Sequence, residues 1–385
     1  LNKKYCFLFL VIVAMAFVSG CFLKKSGAEK RSDNALYSKG VVNIGVAWPV
    51  SSADDGFVEG VTLARDEINQ AGGILGRKLN LVIKDTADSA LKELRAVHDF
   101  AEDPEILAVI GFRDSPVSIQ AASLLQKSGI LSIFTGVTSF SLTQKKHDLV
   151  FRNTGHDIKM GNRLAEYAVS RKYKKMVMLY TYDNHGKSLA NAFENRCDDY
   201  EINIVDRRGY FADNDKFFDN ILGTWQNLDF DAICLIGELP HIGTFITRLK
   251  EYGIKKPLLA SDGLASFDLK EHAGDSAEGM VLITPFHISD RNKATAEFAR
   301  NMKKKFNVDR FSQFSASGYD ALKFLAYAME QAKSVSADKV ADKIHSGISW
   351  EGATGIQKFD GEGEIINKEY DIITFKNGSF EYLEH

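Results

Sequence analysis

Apolar positions along the chain recur with two alternating periods. The run VVNIGVAW (41–48) is rich in β-branched residues and ends in a polar loop, which predicts a buried strand. Phe57, Val61, Ala64 and Ile68 then fall on one face of a helix. Gly72, Gly73 and Gly76 punctuate a turn before the strand-like KLNLVIKD (78–85). The alternation continues as helix 90–102, strand 106–110, helix 116–128 and strand 130–134. A second series starts near Asp157, with helices 157–171, 186–200, 215–227 and 241–252 between strands 175–180, 203–210, 232–236 and 257–261. Elements of these lengths in this order predict parallel sheets covered on both faces by helices. The C-terminal part breaks the rhythm: a strand at 281–286, helices at 293–306, 314–333 and 336–346, then short strands around an Asn377-Gly378 turn. The expected fold class is α/β, with two doubly wound lobes.

The N-terminus follows a different pattern. Lys3 and Lys4 precede an apolar stretch from Tyr5 to Val18, which ends at Ser19-Gly20-Cys21. A basic start, a short apolar core and small residues at its end describe an export signal over residues 1–20. The stretch is shorter than the ~20 residues a membrane-spanning helix needs. Val18-Ser19-Gly20-Cys21 resembles a bacterial lipobox, which implies cleavage before Cys21, acylation of its sulfur and attachment to a membrane. Residues 22–40 are polar, charged and aperiodic, and with Cys21 read as a lipidated flexible tether over 21–40. Residues 41–385 remain, a length whose prior favours two domains.

Charge and cysteine count narrow the classes. The formal charge is −3, and −5 once Lys3 and Lys4 leave with the signal, so no footprint for nucleic acid is expected. Of the four cysteines, only Cys197 and Cys234 would remain as thiols in the exported protein. They are read as buried free thiols, with a disulfide as the alternative an exported compartment would permit. The nine histidines form no i, i+4 pair that would recommend a metal site, and no cofactor is expected. No G-x-S-x-G elbow, P-loop or H-E-x-x-H is present, and an enzyme is not expected.

Segments spread along the chain carry a resemblance. GVTLARDEINQAGGILGRKLNLVIKDTADS (60–89), GILSIFTGVTS (129–139), FRNTGHD (151–157), GIKKPLLASDG (253–263), AEGMVLITPF (277–286) and SGYDALKFLAYA (317–328) stand in a shared order and spacing. From Val41 to Phe375 the chain resembles the branched-chain amino-acid-binding proteins of ABC importers, within the type I periplasmic binding proteins. The resemblance implies two lobes joined by three crossovers, with the ligand in the cleft. The crossovers would fall near 154–157, 282–286 and 352–357. The first lobe would comprise 41–154 with 287–351, and the second 158–281 with 358–385. It also implies a small-molecule ligand, an amino acid or a close relative, delivered to ABC permease subunits by a monomer. A lipoprotein that senses a ligand and signals to a membrane receptor would use the same cleft.

Ligands of open parallel sheets bind beyond the carboxyl ends of the strands, where helix N-termini suit a carboxylate. Ser115 precedes Pro116 after the strand LAVIGF and has the chemistry of an N-cap; the resemblance implies that it holds the ligand carboxylate. Gly136 and Thr138 follow the strand ILSIF, where the resemblance implies a backbone and hydroxyl site for the same group. Asp262 follows PLLAS, where the resemblance implies an acidic residue facing the α-ammonium. His185, in TYDNHGKS, and Glu238, after AICLI, replace aromatic residues common in the family and imply a more polar pocket. Trp48, in the first loop WPVSSADDG, and Phe314, before GYDA and read as an apolar wall or a core residue, complete the candidates.

Overall fold

The computed structural model describes residues 25–37, 40–51, 55–113, 115–211, 217–266, 268–287, 293–308 and 311–383, with the Ser115 side chain set aside. The expected signal at 1–20, the acylation site Cys21 and the start of the tether lie outside these residues. Two sheets organise the chain. The first has five parallel strands: β1 (Val42–Trp48), β2 (Leu79–Asp85), β3 (Ile106–Gly111), β4 (Leu131–Phe134) and β5 (Val150–Arg152). Their spatial order is β2-β1-β3-β4-β5. The second sheet contains β6 (Lys175–Thr181), β7 (Asn203–Tyr210), β8 (Ala232–Ile236), β9 (Leu258–Ala260), β10 (Val281–Thr284), β13 (Asp371–Lys376) and β14 (Ser379–Tyr382), ordered β14-β13-β10-β9-β8-β6-β7. Its last two strands run antiparallel, joined through the expected Asn377-Gly378 turn.

The central strands are apolar on both faces because helices cover both. All six residues of β3 and all five of β8 are buried. Helix Phe57–Gln70 buries Phe57, Gly60, Val61, Leu63, Ala64 and Ile68, the face its spacing predicts. It crosses helix Gln313–Ala332 at very short range. A Cβ on Gly60 would lie 2.0 Å from the Ser315 carbonyl oxygen, and one on Gly318 would lie 2.6 Å from the Phe57 ring. Glycine on both helices is what permits that crossing.

Three expectations need correction. Residues 27–37 of the expected free tether form the helix Gly27–Tyr37, docked on the first lobe. Its charge pattern hides the reason, because its buried residue is Arg31, only 2% exposed. The guanidinium donates to the carbonyls of Phe100, Ala101 and Asp103 at 3.1, 3.1 and 2.9 Å, and to Ile106 O at 2.7 Å. It also donates to Ser128 O. These carbonyls lie at and beyond the C-termini of helices Ala90–Glu102 and Ser115–Lys127, where unpaired acceptors favour a cation.

The second correction concerns the third crossover. Residues 352–357 stay with the first lobe, as a hairpin of β11 (Trp350–Gly352) and β12 (Gly355–Gln357). Buried Asp320 holds it, accepting from the Ala353 and Thr354 amides at 2.8 and 2.7 Å and from the Thr354 hydroxyl at 2.7 Å. Burial pushes the Asp320 carboxyl up to about 6 despite these donors and the charge of Lys368. Phe359 and Ile365 then enter the first core, with Phe359 5.5 Å from Phe151 and 5.0 Å from Phe324. The second lobe therefore resumes at β13, later than residue 358. Residues 282–284, expected within the second crossover, are paired in the second sheet with Ile373, Ile372 and Asp371. Cys197 and Cys234 are free buried thiols of the second core.

Removing the Arg31 guanidinium leaves several carbonyls without their donor. Arg31→Ala is expected to cost about 2 kcal/mol, from lost hydrogen bonds to a charged group. Urea denaturation checks this, and an unchanged midpoint would show that the helix is not clamped.

Candidate functional site

The candidate residues gather along the carboxyl edges of the two sheets. Trp48 ends β1, Ser115 opens the helix after β3, and Gly136 and Thr138 follow β4. From the second sheet, His185 lies in the first turn of the helix after β6, Glu238 follows β8, and Asp262 follows β9. Strand order reverses direction at β1 in one sheet and at β6 in the other, the places where adjacent loops diverge and leave a crevice.

The first lobe supplies a packed wall. Trp48 is buried and stacks on Phe57 with ring centroids 3.8 Å apart, and its ring lies 5.4 Å from that of Phe314. Its indole N–H donates to both oxygens of Asp55 at 3.2 Å. Trp48 is thus part of the core as much as of the cleft. Phe314 is half-buried, with the Arg113 guanidinium 5.3 Å above its ring. Gly136 fits because a Cβ there would lie 3.0 Å from Phe112 O and 3.3 Å from the Trp48 ring. Ser115 is the first residue of helix Ser115–Lys127, whose N-terminus faces the crevice end of β3.

Buried Arg152 holds the Thr138 loop. Its Nη1 donates to Val137 O at 3.3 Å and to Ser139 O at 2.5 Å, the carbonyls on either side of Thr138. The same guanidinium pairs with Glu364, which also accepts from the Thr143 hydroxyl. An arginine with every edge engaged is fixed in orientation, and so therefore is the loop.

Between the lobes lies a charged seam. His185 Nδ1 stands 2.9 Å from Asp157 Oδ1 and 3.0 Å from the Thr138 hydroxyl. Asp157 opens helix Asp157–Ser170, and its amide donates to Thr138 O at 3.0 Å. Across the cleft, Gln313 Nε2 donates to Asp262 Oδ2 at 3.2 Å, while Asp262 Oδ1 and the buried Ser261 hydroxyl have no hydrogen-bond partner. Thr138 and Gln313 belong to the first lobe, and His185 and Asp262 to the second, so the Thr138–His185 and Gln313–Asp262 hydrogen bonds bridge the cleft. Glu238 is exposed on its rim.

Electrostatics fix the protonation states. Burial opposes a charged His185, but the charge and hydrogen bond of Asp157, reinforced by Asp262 and Glu238, prevail and push it up to about 10. Burial likewise opposes the Asp157 carboxylate, yet His185 and the Thr138 and Ser188 hydroxyls hold it below the usual range. Asp262 moves the other way: burial raises it, only partly countered by His185 and Gln313. A carboxylate in that condition lacks a cation.

Sequence reasoning placed the candidates at one seam but missed the role of Gln313 and gave Asp157 only a place in a crossover. The FRNTGHD segment contained the available signal for Asp157, an acidic residue opening a helix. Nothing local marks Gln313.

Two lobes with a polar cleft at the carboxyl ends of their strands define a two-lobed solute-binding protein. Residues 41–379 match the family model described as periplasmic binding protein, and the chain belongs to that family. It is 26% identical over 330 residues to the leucine-, isoleucine-, valine-, threonine- and alanine-binding protein of Pseudomonas aeruginosa, covering 85% of this chain and 87% of that one. Among solved structures it is similar to an ABC transporter substrate-binding protein from Desulfitobacterium hafniense in complex with Leu. That match has 35% identity, a TM-score of 0.80, and coverage of 89% and 99% of the two chains. It is also similar to a branched-chain amino acid transporter substrate-binding protein from Streptococcus pneumoniae in complex with isoleucine, at 26% identity and a TM-score of 0.80, covering 89% and 98%. The expected family and two-lobed α/β fold are borne out, and the chain is a binding protein, not an enzyme.

The His185 shift carries a sign. The folded protein keeps the imidazole charged up to about pH 10, against an ordinary value of 6.5. Its contribution to stability is therefore complete below about pH 6.5 and is lost as pH rises towards 10, by at most about 1.4 kcal/mol per pH unit. His185→Gln is expected to flatten the pH dependence of urea unfolding between about pH 6.5 and 9. An equal slope in both proteins would contradict the Asp157–His185 ion pair.

Proposed function

We propose that this protein is the extracytoplasmic, lipid-anchored receptor of an ABC importer and that it carries an α-amino acid in the cleft between its lobes. The observation that carries the reading is the polarity of the seam. On the first lobe the Thr138 hydroxyl and the helix beginning at Ser115 offer donors to a carboxylate. On the second lobe Asp262 presents a buried oxygen with no partner, suited to an ammonium. A zwitterion meets both requirements, and the amino acids named with the similar proteins belong to that class.

Binding is coupled to closure. Thr138 is engaged by His185 and Asp262 by Gln313 across the lobes. A ligand whose carboxylate and ammonium take over these bonds stays in contact with both lobes at once. It stabilises the closed arrangement because it binds that arrangement better than an open one. The closed surface would then be what the permease subunits recognise. Cys21 would hold the receptor, as a monomer, at the membrane.

Melting of residues 25–385 against a panel of amino acids tests the ligand class. A ligand at about a hundred times its Kd adds ~2.7 kcal/mol, a readily measured rise in Tm. Asp262→Asn is expected to cost about 2–5 kcal/mol of that binding. Binding that survives this substitution would remove Asp262 from ammonium recognition. For the anchor, Cys21→Ala in the full chain should move the protein from the membrane fraction to the soluble one; an unchanged distribution would argue against acylation.

A further inference from the structure

Among the described residues, the charges around the cleft do not balance, and the imbalance says something about the ligand's side chain. Asp157 and His185 form an ion pair at 2.9 Å, with Asp157 Oδ2 left without a hydrogen-bond partner. Arg113 and Asp55 interact with each other on the first-lobe wall. That leaves Asp262 and Glu238. Neither forms a salt bridge among the described residues, and the sole hydrogen bond to the Asp262 carboxylate comes from the neutral Gln313 amide. The two are neighbours. Gly263 follows Asp262, and Glu238 Cγ lies 3.2 Å from where a Cβ on Gly263 would stand, so the Glu238 side chain packs beside the residue next to Asp262. Glu238 follows β8 at the carboxyl edge of the second sheet, the edge that also carries His185 and Asp262. Its exposure at the rim leaves it open to a ligand.

An amino acid with an aliphatic side chain brings one cation for these two anions. A basic amino acid brings two. Building on the amino-acid reading of the cleft, we propose that the ligand carries a cationic side chain, an ammonium or guanidinium, with Asp262 taking the α-ammonium and Glu238 the side-chain cation. Glu238 is then the specificity-determining residue. It rewards a second cation and repels an acidic side chain, while an aliphatic chain gains nothing from it. The unpartnered Ser261 hydroxyl beside Asp262 supplies a further acceptor for the α-ammonium.

Isothermal titration calorimetry with L-arginine, L-lysine, L-ornithine, L-leucine, L-isoleucine and L-glutamate tests this on the wild-type protein and on Glu238→Gln. At least one basic amino acid is expected to bind tenfold or more tightly than leucine and isoleucine. Glu238→Gln should weaken the basic ligand at least tenfold and any aliphatic ligand by a clearly smaller factor. Because Glu238 is exposed, the variant should fold, which its melting curve verifies. Leucine or isoleucine binding more tightly than every basic amino acid would overturn the side-chain assignment and leave the amino-acid reading intact. An equal loss for both classes would do the same. Failure of every amino acid to bind the folded protein would overturn both.

Discussion

Carboxylates buried at a seam between two lobes must find cations, and most of the cleft is arranged around that requirement. Asp157 meets it within the protein, through His185. Asp262 does not, and its buried oxygen has no donor. An unpaired anion in a desolvated site is tolerated where a ligand completes it, and the cost of leaving it empty becomes selectivity for a cation. The same constraint accounts for the direction of the shifts: the paired Asp157 is lowered, the unpaired Asp262 raised, and His185 held charged between them.

The scaffold serves to keep these groups in register. Each lobe delivers its side chains from the carboxyl ends of parallel strands, so their spacing is set by sheet geometry. Loops are then secured by buried polar contacts: Arg152 grips the two carbonyls that flank Thr138, and Asp320 anchors the hairpin after residue 350. Arg31 acts similarly far from the cleft, joining the N-terminal helix to the ends of two others. In each case one buried charged side chain replaces many weak contacts, because a fork of donors or a pair of acceptor oxygens fixes orientation as well as distance.

Much of this was legible in the sequence for a physical reason. Strands such as β3 and β8 are continuous apolar runs because both their faces are covered, and helices Ala90–Glu102 and Lys293–Phe306 keep a single apolar stripe. Their order implies where the crevice lies, and the resemblance to the family then marked Thr138, His185 and Asp262 along it. What stayed hidden depends on partners distant in sequence. Arg31 reads as one more charge in a polar segment, since its acceptors lie about seventy to a hundred residues away. The hairpin at 350–357 belongs to the first lobe because Asp320 and Thr295 reach it and Ala353 enters the first core. Gln313 matters because the second lobe brings Asp262 to it, and no local pattern encodes that meeting.

The most direct test of the account is a crystal structure with the amino acid that gives the largest thermal shift. The α-ammonium should lie within hydrogen-bond distance of Asp262 Oδ1, and the carboxylate should occupy the Thr138 hydroxyl in place of His185 Nδ1. A ligand bound elsewhere, or one in the cleft with the Asp262 oxygen still unpartnered and the Thr138–His185 bond intact, would contradict the claim that unmet charge at the seam is what the ligand completes.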